Sequence, residues 1–284
     1  MGLRFPWNPR DRCPSLLSVM CSTSLRLEEE RRRFVPMAVR FWVDGRPFHA
    51  EAFLFDKDGT LITFDHWFSV MAERARRLSS ALGLSQKQAA SLAQFMGVDR
   101  GRPGNWGIIP LPRPEAEEAT ARFLAEMLGE TPEDLRALVR KIFADVDEDF
   151  PFVRHLKPTP GAEETLKAIK KAGGKVGVVT HDLASAAWQH FRALGWEELV
   201  DTVVGLDVCP TKKPAPDPIW KACALLGVPP KGGIVVGDTA TDLQAGRAAG
   251  CRATLGVLTG LGQPEEIKIF ADAVLPDLRG LSFA

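Results

Sequence analysis

The stretch Ala52-Phe53-Leu54-Phe55-Asp56-Lys57-Asp58-Gly59-Thr60 decides how this 284-residue chain is read. Four consecutive apolar residues suit a strand buried on both faces, as in the middle of a parallel sheet. The run then breaks into two carboxylates, a glycine and a threonine. Such a break sets polar groups at the carboxyl edge of a strand, where open parallel sheets gather functional residues.

Upstream, Val39, Phe41 and Val43 alternate, Asp44-Gly45 supplies a hairpin turn signal, and the chain returns through Phe48. Downstream, residues 66–150 are mostly helical in pattern, with Ser85 and Thr131-Pro132 as starts and Gly83, Gly97 and Gly129 as stops. The span 97–114, rich in Gly and Pro and holding Trp106, is predicted to be a loop. After Pro158 helix and strand alternate: helix 161–172, strand 175–180, helix 183–194, an apolar run at 202–205, helix 216–226, strand 233–237, helix 239–249 and strand 253–257. This order predicts an α/β fold with a parallel sheet covered on both faces. Three further strand ends carry polar residues: Thr180-His181-Asp182, then Lys212-Lys213-Pro214, then Asp238-Thr239-Ala240-Thr241-Asp242.

With Asp56-x-Asp58-Gly59-Thr60, Thr180, Lys213 and Asp238…Asp242 in that order, the chain resembles the haloacid dehalogenase-like hydrolases, in particular their phosphoglycolate-phosphatase-like branch. The resemblance covers residues 50–275. It implies a Rossmann-like three-layer core, residues 37–64 and 151–284, with a helical cap, residues 65–150, inserted after the first core strand. The expected activity is Mg²⁺-dependent hydrolysis of a small phosphomonoester, of the phosphoglycolate or sugar phosphate type, in the cytoplasm, by a monomer or homodimer.

The residue types suit that chemistry. Asp56 is the candidate nucleophile, forming an aspartyl-phosphate that divides one difficult step into two. Asp58 is the candidate acid and base, which asks for elevated proton affinity in one carboxyl and retained charge in the other. Asp56, the backbone carbonyl of Asp58, and Asp238 are the expected metal ligands, a hard oxygen set suited to Mg²⁺. Gly59 lets the chain leave the strand sharply and Thr60 braces the loop. Thr180 and Lys213 are the candidate phosphoryl-binding groups. Asp242, one helical turn beyond Asp238, is placed to orient metal-bound water or Lys213.

Each residue alone has a plainer reading. Two acids around a turn are usually turn formers or caps, and a threonine at a strand end is ordinary. Of the adjacent lysines, the Lys-Pro-x-Pro pattern shared with the family favours Lys213 and leaves Lys212 solvated. His49, His155, His181 and His190 read as structural, and Cys209, Cys223 and Cys251 as small buried hydrophobes. Substrate choice is expected in the cap, with Asp65, His66 and Trp67 at its hinge and Arg100 and Arg102 in a loop that is either a lid or a plain connector. A dehalogenase would have no use for Asp58, and a phosphonate hydrolase would need a suitably placed cap lysine, where only Lys87 and Lys141 stand. A phosphomutase would share every core residue, and a non-catalytic binding protein on this fold is the alternative from another class.

Composition excludes other classes. The 36 basic and 36 acidic side chains balance, against a nucleic-acid or anionic-membrane binder. Five scattered cysteines without paired spacing fit a reducing compartment and no zinc site. Residues 1–36 hold seven arginines, four acids and two of the cysteines, without a helical or strand period. They read as a disordered or mis-assigned leader, with translation starting at Met37, which would leave the remainder mildly acidic.

Overall fold

The computed structural model describes residues 38–98 and 106–284. The leader, the Met37 start, and the arginines Arg100 and Arg102 lie outside the described residues.

The chain opens with β1 (Val39–Val43) and β2 (Arg46–Ala50), paired antiparallel with Val43 opposite Arg46. Asp44 and Gly45 both take positive φ, 48° and 76°, the conformation a two-residue hairpin loop with native twist demands. Val39, Phe41 and Val43 face inward while Arg40 faces out, as their alternation required. β3 (Ala52–Phe55) then enters a second sheet and is buried along its whole length.

Four helices follow: α1 (Asp65–Ala81), α2 (Gln86–Phe95), α3 (Arg113–Leu128) and α4 (Pro132–Asp149). Ser85 starts α2 through a capping box with Gln88, so two of the free amides at the helix start are satisfied locally. Helix α3 begins at Arg113 with Pro114 in its first turn, slightly earlier than the loop reading allowed, because proline fits a position whose amide has no helical partner. The four helices bury Leu78, Leu92, Leu124, Val139 and Phe143 against one another, in a core separate from that of the sheet.

The alternating part runs α5 (Ala162–Lys171), β4 (Lys175–Val179), α6 (Ala184–Leu194), β5 (Thr202–Val204), α7 (Asp217–Leu226), β6 (Gly233–Gly237), α8 (Ala240–Ala249), β7 (Ala253–Val257), α9 (Pro264–Phe270) and β8 (Ala273–Leu275). The six strands are parallel in the order β5-β4-β3-β6-β7-β8. This is a Rossmann-like α/β fold. Succession moves from β3 toward β5 on one side and from β6 toward β8 on the other, so the chain reverses between β3 and β6. Such a reversal opens a crevice at the carboxyl ends of the two strands.

The sequence reading did not anticipate β9 (Leu281–Phe283), which pairs with β1 and places Phe283 opposite Phe41. Both rings lie against Phe53 of the central strand, at 5.9 and 5.1 Å, joining the small sheet to the main core. Cys223 is buried as expected, but Cys209 and Cys251 are only partly covered at the margin of its cluster. Among the described residues, no helix is long and apolar enough to cross a membrane.

Candidate active site

Asp56 is the first residue beyond β3, and its amide donates to the Val236 carbonyl of β6 at 2.9 Å. That bond holds the two central strand ends side by side, so Asp56 and Asp238 emerge together. Asp56, Asp238 and Asp242 bring carboxylate oxygens within 4.8 Å of one another. One buried cation meets them: Lys213 Nζ donates to Asp56 Oδ1 at 2.7 Å, lies 2.5 Å from Asp242 Oδ1, and donates to the Val179 carbonyl at 2.9 Å. Burial alone would favour the neutral amine, but Asp242 and Asp56 hold Lys213 firmly as an ammonium.

Three carboxylates against one ammonium leave negative charge in excess. Burial, with Asp242 and Asp58 adding to it against the pull of Lys213, raises Asp56 to about 6. Burial and the neighbouring Asp56 and Asp242 raise Asp238 well above the usual carboxylate range. A crowded all-oxygen set with surplus negative charge fits a hard divalent cation.

Surrounding groups fix each carboxylate. Thr60 Oγ1 donates to Asp238 Oδ1 at 3.2 Å, and its carbonyl accepts from Thr159 Oγ1 at 2.5 Å, bracing the loop from both ends. Asp242 has two tasks, because its Oδ2 accepts from the Thr239 amide and hydroxyl at the start of α8 while Oδ1 faces Lys213. Its contact with Lys213 suits one of its two expected roles, and its place beside Asp56 and Asp238 suits the other. Gly59 has φ of 90°, and a Cβ there would lie 2.6 Å from Asp238 Oδ2, so only glycine allows this approach.

Thr180 lies at the end of β4, its hydroxyl accepting the Asp182 amide at 3.1 Å. Lys213 precedes a cis bond to Pro214, and its amide donates to His181 Nε2 at 3.1 Å. Burial and Lys213 push His181 down to about 4, which keeps that nitrogen an acceptor. Lys212 points away, to Glu115 of α3 at 2.6 Å.

The Asp58 carboxylate has partners of its own. Lys57 Nζ contacts both its oxygens, at 2.8 and 2.7 Å. His66 Nε2 lies 3.3 Å from Oδ1, close but outside hydrogen-bonding alignment, while Nδ1 donates to the Thr63 carbonyl at 3.0 Å. Burial favours the protonated acid here, yet Lys57 and His66 outweigh it and hold Asp58 far below the usual range. The expected division of proton affinity is therefore reversed in this structure. Asp56, expected to keep its charge, lies among like charges, whereas Asp58, expected to hold a proton, lies against an ammonium.

Two groups of contacts escaped the sequence reading. Lys57 was passed over inside the motif, though it is fully buried. The loop after β7 is the other: Thr259 Oγ1 donates to the Gly59 carbonyl at 2.5 Å, and the Leu261 amide donates to Asp238 Oδ2 at 2.8 Å. A Cβ on Gly260 would lie 1.9 Å from Asp238 Oδ2, so the loop closes on this acid through bare backbone. Thr-Gly-Leu-Gly just beyond a strand end was the available signal.

The family model for haloacid dehalogenase-like hydrolases matches residues 50–250. A plasmid-encoded phosphoglycolate phosphatase of Cupriavidus necator is 30% identical over 230 residues, which cover 81% of this chain and 90% of that one. A phosphoglycolate phosphatase of Aquifex aeolicus is 35% identical over 105 residues, 37% of this chain and 49% of the relative, so there the match spans about half the relative's length. In structure, a predicted phosphoglycolate phosphatase from Haemophilus somnus superposes with a TM-score of 0.63 at 22% identity, over 81% of this chain and 95% of that one, a likeness of fold. The chain belongs to the haloacid dehalogenase-like hydrolases. Within them it falls in the phosphoglycolate-phosphatase-like branch.

Proposed function

We propose that the protein is a Mg²⁺-dependent cytoplasmic phosphatase that hydrolyses a small phosphomonoester, of the phosphoglycolate or sugar phosphate type, through a phosphoenzyme on Asp56. The observation that carries this reading is the buried Lys213 ammonium shared between Asp56 and Asp242 beside Asp238, at the crevice between β3 and β6. A structural ion pair would need one acid for one base, and here surplus acids converge where a parallel sheet receives its ligand.

Asp56 and Asp238, with the Asp58 backbone carbonyl, would hold the metal. When bound, Mg²⁺ supplies charge that keeps Asp56 ionised and offsets repulsion between carboxylate and phosphate. Asp56 attacks phosphorus, forming an O–P bond as the bond to the ester oxygen breaks. Lys213 and Thr180 bind the equatorial oxygens as charge spreads over them. Asp58, ionised against Lys57 in the free protein, must first take up a proton as the phosphoester enters. It gives that proton to the departing alkoxide, then takes one from the water that attacks phosphorus and frees Asp56. The same carboxyl works in both directions, so it must be held on the leaving-group side of the phosphoryl.

The four helices α1 to α4 act as the cap, with Asp65, His66 and Trp67 at its hinge, closing to exclude water and choose the substrate. The test is release of inorganic phosphate from phosphoglycolate, a panel of sugar phosphates and an aryl phosphate, with and without Mg²⁺. Asp56→Asn is expected to remove at least about 10³-fold of the activity. Retention of turnover in that variant, or failure of every ester with the wild type, overturns the reading.

A further inference from the structure

Lys57 is the second residue of the Asp56–Thr60 motif, has 0% exposure, and has no part in the phosphatase reading above. Its ammonium spans both oxygens of Asp58, at 2.8 and 2.7 Å. It lies 3.4 Å from Asp182 Oδ2, just beyond Thr180. It also lies 3.2 Å from His190 Nδ1 on α6. An ammonium can only donate, so His190 Nδ1 accepts and that ring is the Nε2–H tautomer. The opposite wall comes from α1: the Trp67 ring centre lies 6.0 Å from Nζ, and His66 meets His190 with ring centres 5.1 Å apart. All the partners of this buried cation are thus set by three separate segments, the motif loop, the end of β4 with α6, and the first turn of α1.

We propose that Lys57 is a positioning residue for the reaction, holding the Asp58 carboxylate at one rotamer on the leaving-group side and tying it to the Thr180 end of β4 and to α1. A bare carboxylate on a mobile loop would swing toward water. A buried ammonium across both its oxygens removes that freedom while Asp58 is ionised. When one oxygen takes up a proton the other keeps the ammonium, and Asp182 and His190 fix the ammonium in turn. Without Lys57, Asp58 and Asp182 would face each other with no cation between them, and Asp58 would rotate out of reach of the leaving oxygen. The inference rests on the phosphatase reading, since it gives Lys57 its effect through Asp58.

Ester selectivity tests it. An alkoxide leaving group needs a proton from Asp58, whereas p-nitrophenolate leaves without one. Lys57→Met is expected to lower kcat/KM for the alkyl phosphomonoester that the wild type hydrolyses fastest by about 10²-fold, and for p-nitrophenyl phosphate by no more than about threefold. In an Asp58→Asn background the same substitution is expected to add less than about a further threefold on the alkyl ester, because the two act as one unit. Equal losses on both esters, or full additivity with Asp58→Asn, overturn the proposal while leaving the phosphatase reading intact. A wild type that releases phosphate from neither ester overturns both. If Lys57→Met does not fold, as judged by circular dichroism, Asp182→Asn takes its place: a shift of about threefold or more in the alkyl-to-aryl ratio supports the proposal, and an unchanged ratio overturns it.

Discussion

Asp56 and Asp58 leave the same strand end two residues apart and enter opposite surroundings. Asp56 turns into the crevice, where Asp238 and Asp242 join it around one ammonium. Asp58 meets the Lys57 ammonium instead, with the His66 ring beside it. Both carboxyls are largely covered, so burial pushes each toward the neutral acid, and their neighbours decide the outcome. Among like charges Asp56 rises to about 6; against Lys57, Asp58 falls far below the usual range. Proton affinity in such a motif is a property of where each side chain points, and sequence separation says little about it. The first cluster sets three carboxylates around the Lys213 ammonium, whereas the second sets two, Asp58 and Asp182, on the Lys57 ammonium.

Removal of the ammonium from the three-acid cluster should have the largest effect. Lys213→Met leaves two buried carboxylates, Asp238 and Asp242, and the mostly covered Asp56 without the ammonium they share. Breaking a buried pair from one side costs about 3–5 kcal/mol, which for a chain this long lowers Tm by about 10 °C. Thermal melts check this, and the loss should shrink in acid, where the raised carboxyls take up protons and repel less. Phosphate release should fall by at least about 10²-fold at any pH. A melt unaffected by the substitution would mean that the acids are not charged together, and the contrast between the clusters would collapse.

A smaller effect separates the clusters by pH. Asp56 has an ordinary value of 3.8 in the unfolded chain and about 6 when folded, so between these the folded protein binds more protons. The stability this contributes is fully present below the lower value and disappears as pH rises through the upper one. A divalent cation competes with those protons. Mg²⁺ should therefore raise Tm by a few degrees at about pH 7.5 and by clearly less at about pH 5, relative to chelator-treated protein. Asp58, held low, should contribute nothing to that window. An equal Mg²⁺ shift at both pH values would argue that the cation binds away from Asp56 and Asp238.

These contrasts bear on what could be read from the residues alone. Lys213, in the long loop after β5, was legible only through the Lys-Pro-x-Pro pattern shared with the family. Asp56, Thr180 and Asp238 were legible because each directly follows a strand, and parallel strands deliver their ends to one edge whatever the details of packing. The alternation after Pro158 foretold the layers for the same reason, since its signals are local. What escaped depends on contacts between distant segments. His190 is 133 residues from Lys57, and no periodicity reports that its ring accepts from that ammonium. The His66 contact of Asp58 likewise joins separate segments, whereas its Lys57 partner is the residue before it. β9 is three residues long, too short to announce itself before β1 offers it an edge.

Lys212 and Lys213 provide the mildest test, because they are neighbours in sequence and differ only in surroundings. Lys213 lies inside the acid cluster, whereas Lys212 pairs with Glu115 of α3 with side chains 43% and 56% exposed. An ion pair that open gains little over hydration, pays the entropy of fixing two long side chains, and is screened by salt. Glu115→Gln should therefore cost no more than about 1 kcal/mol and move Tm by only about 2–4 °C at low ionic strength, with the difference vanishing in salt. A loss approaching that of Lys213→Met would mean that the pair is desolvated when α3 rests on the Lys212 loop. The helices and the sheet edge would then share a second buried charge contact, and the asymmetry between the two lysines would no longer follow from exposure.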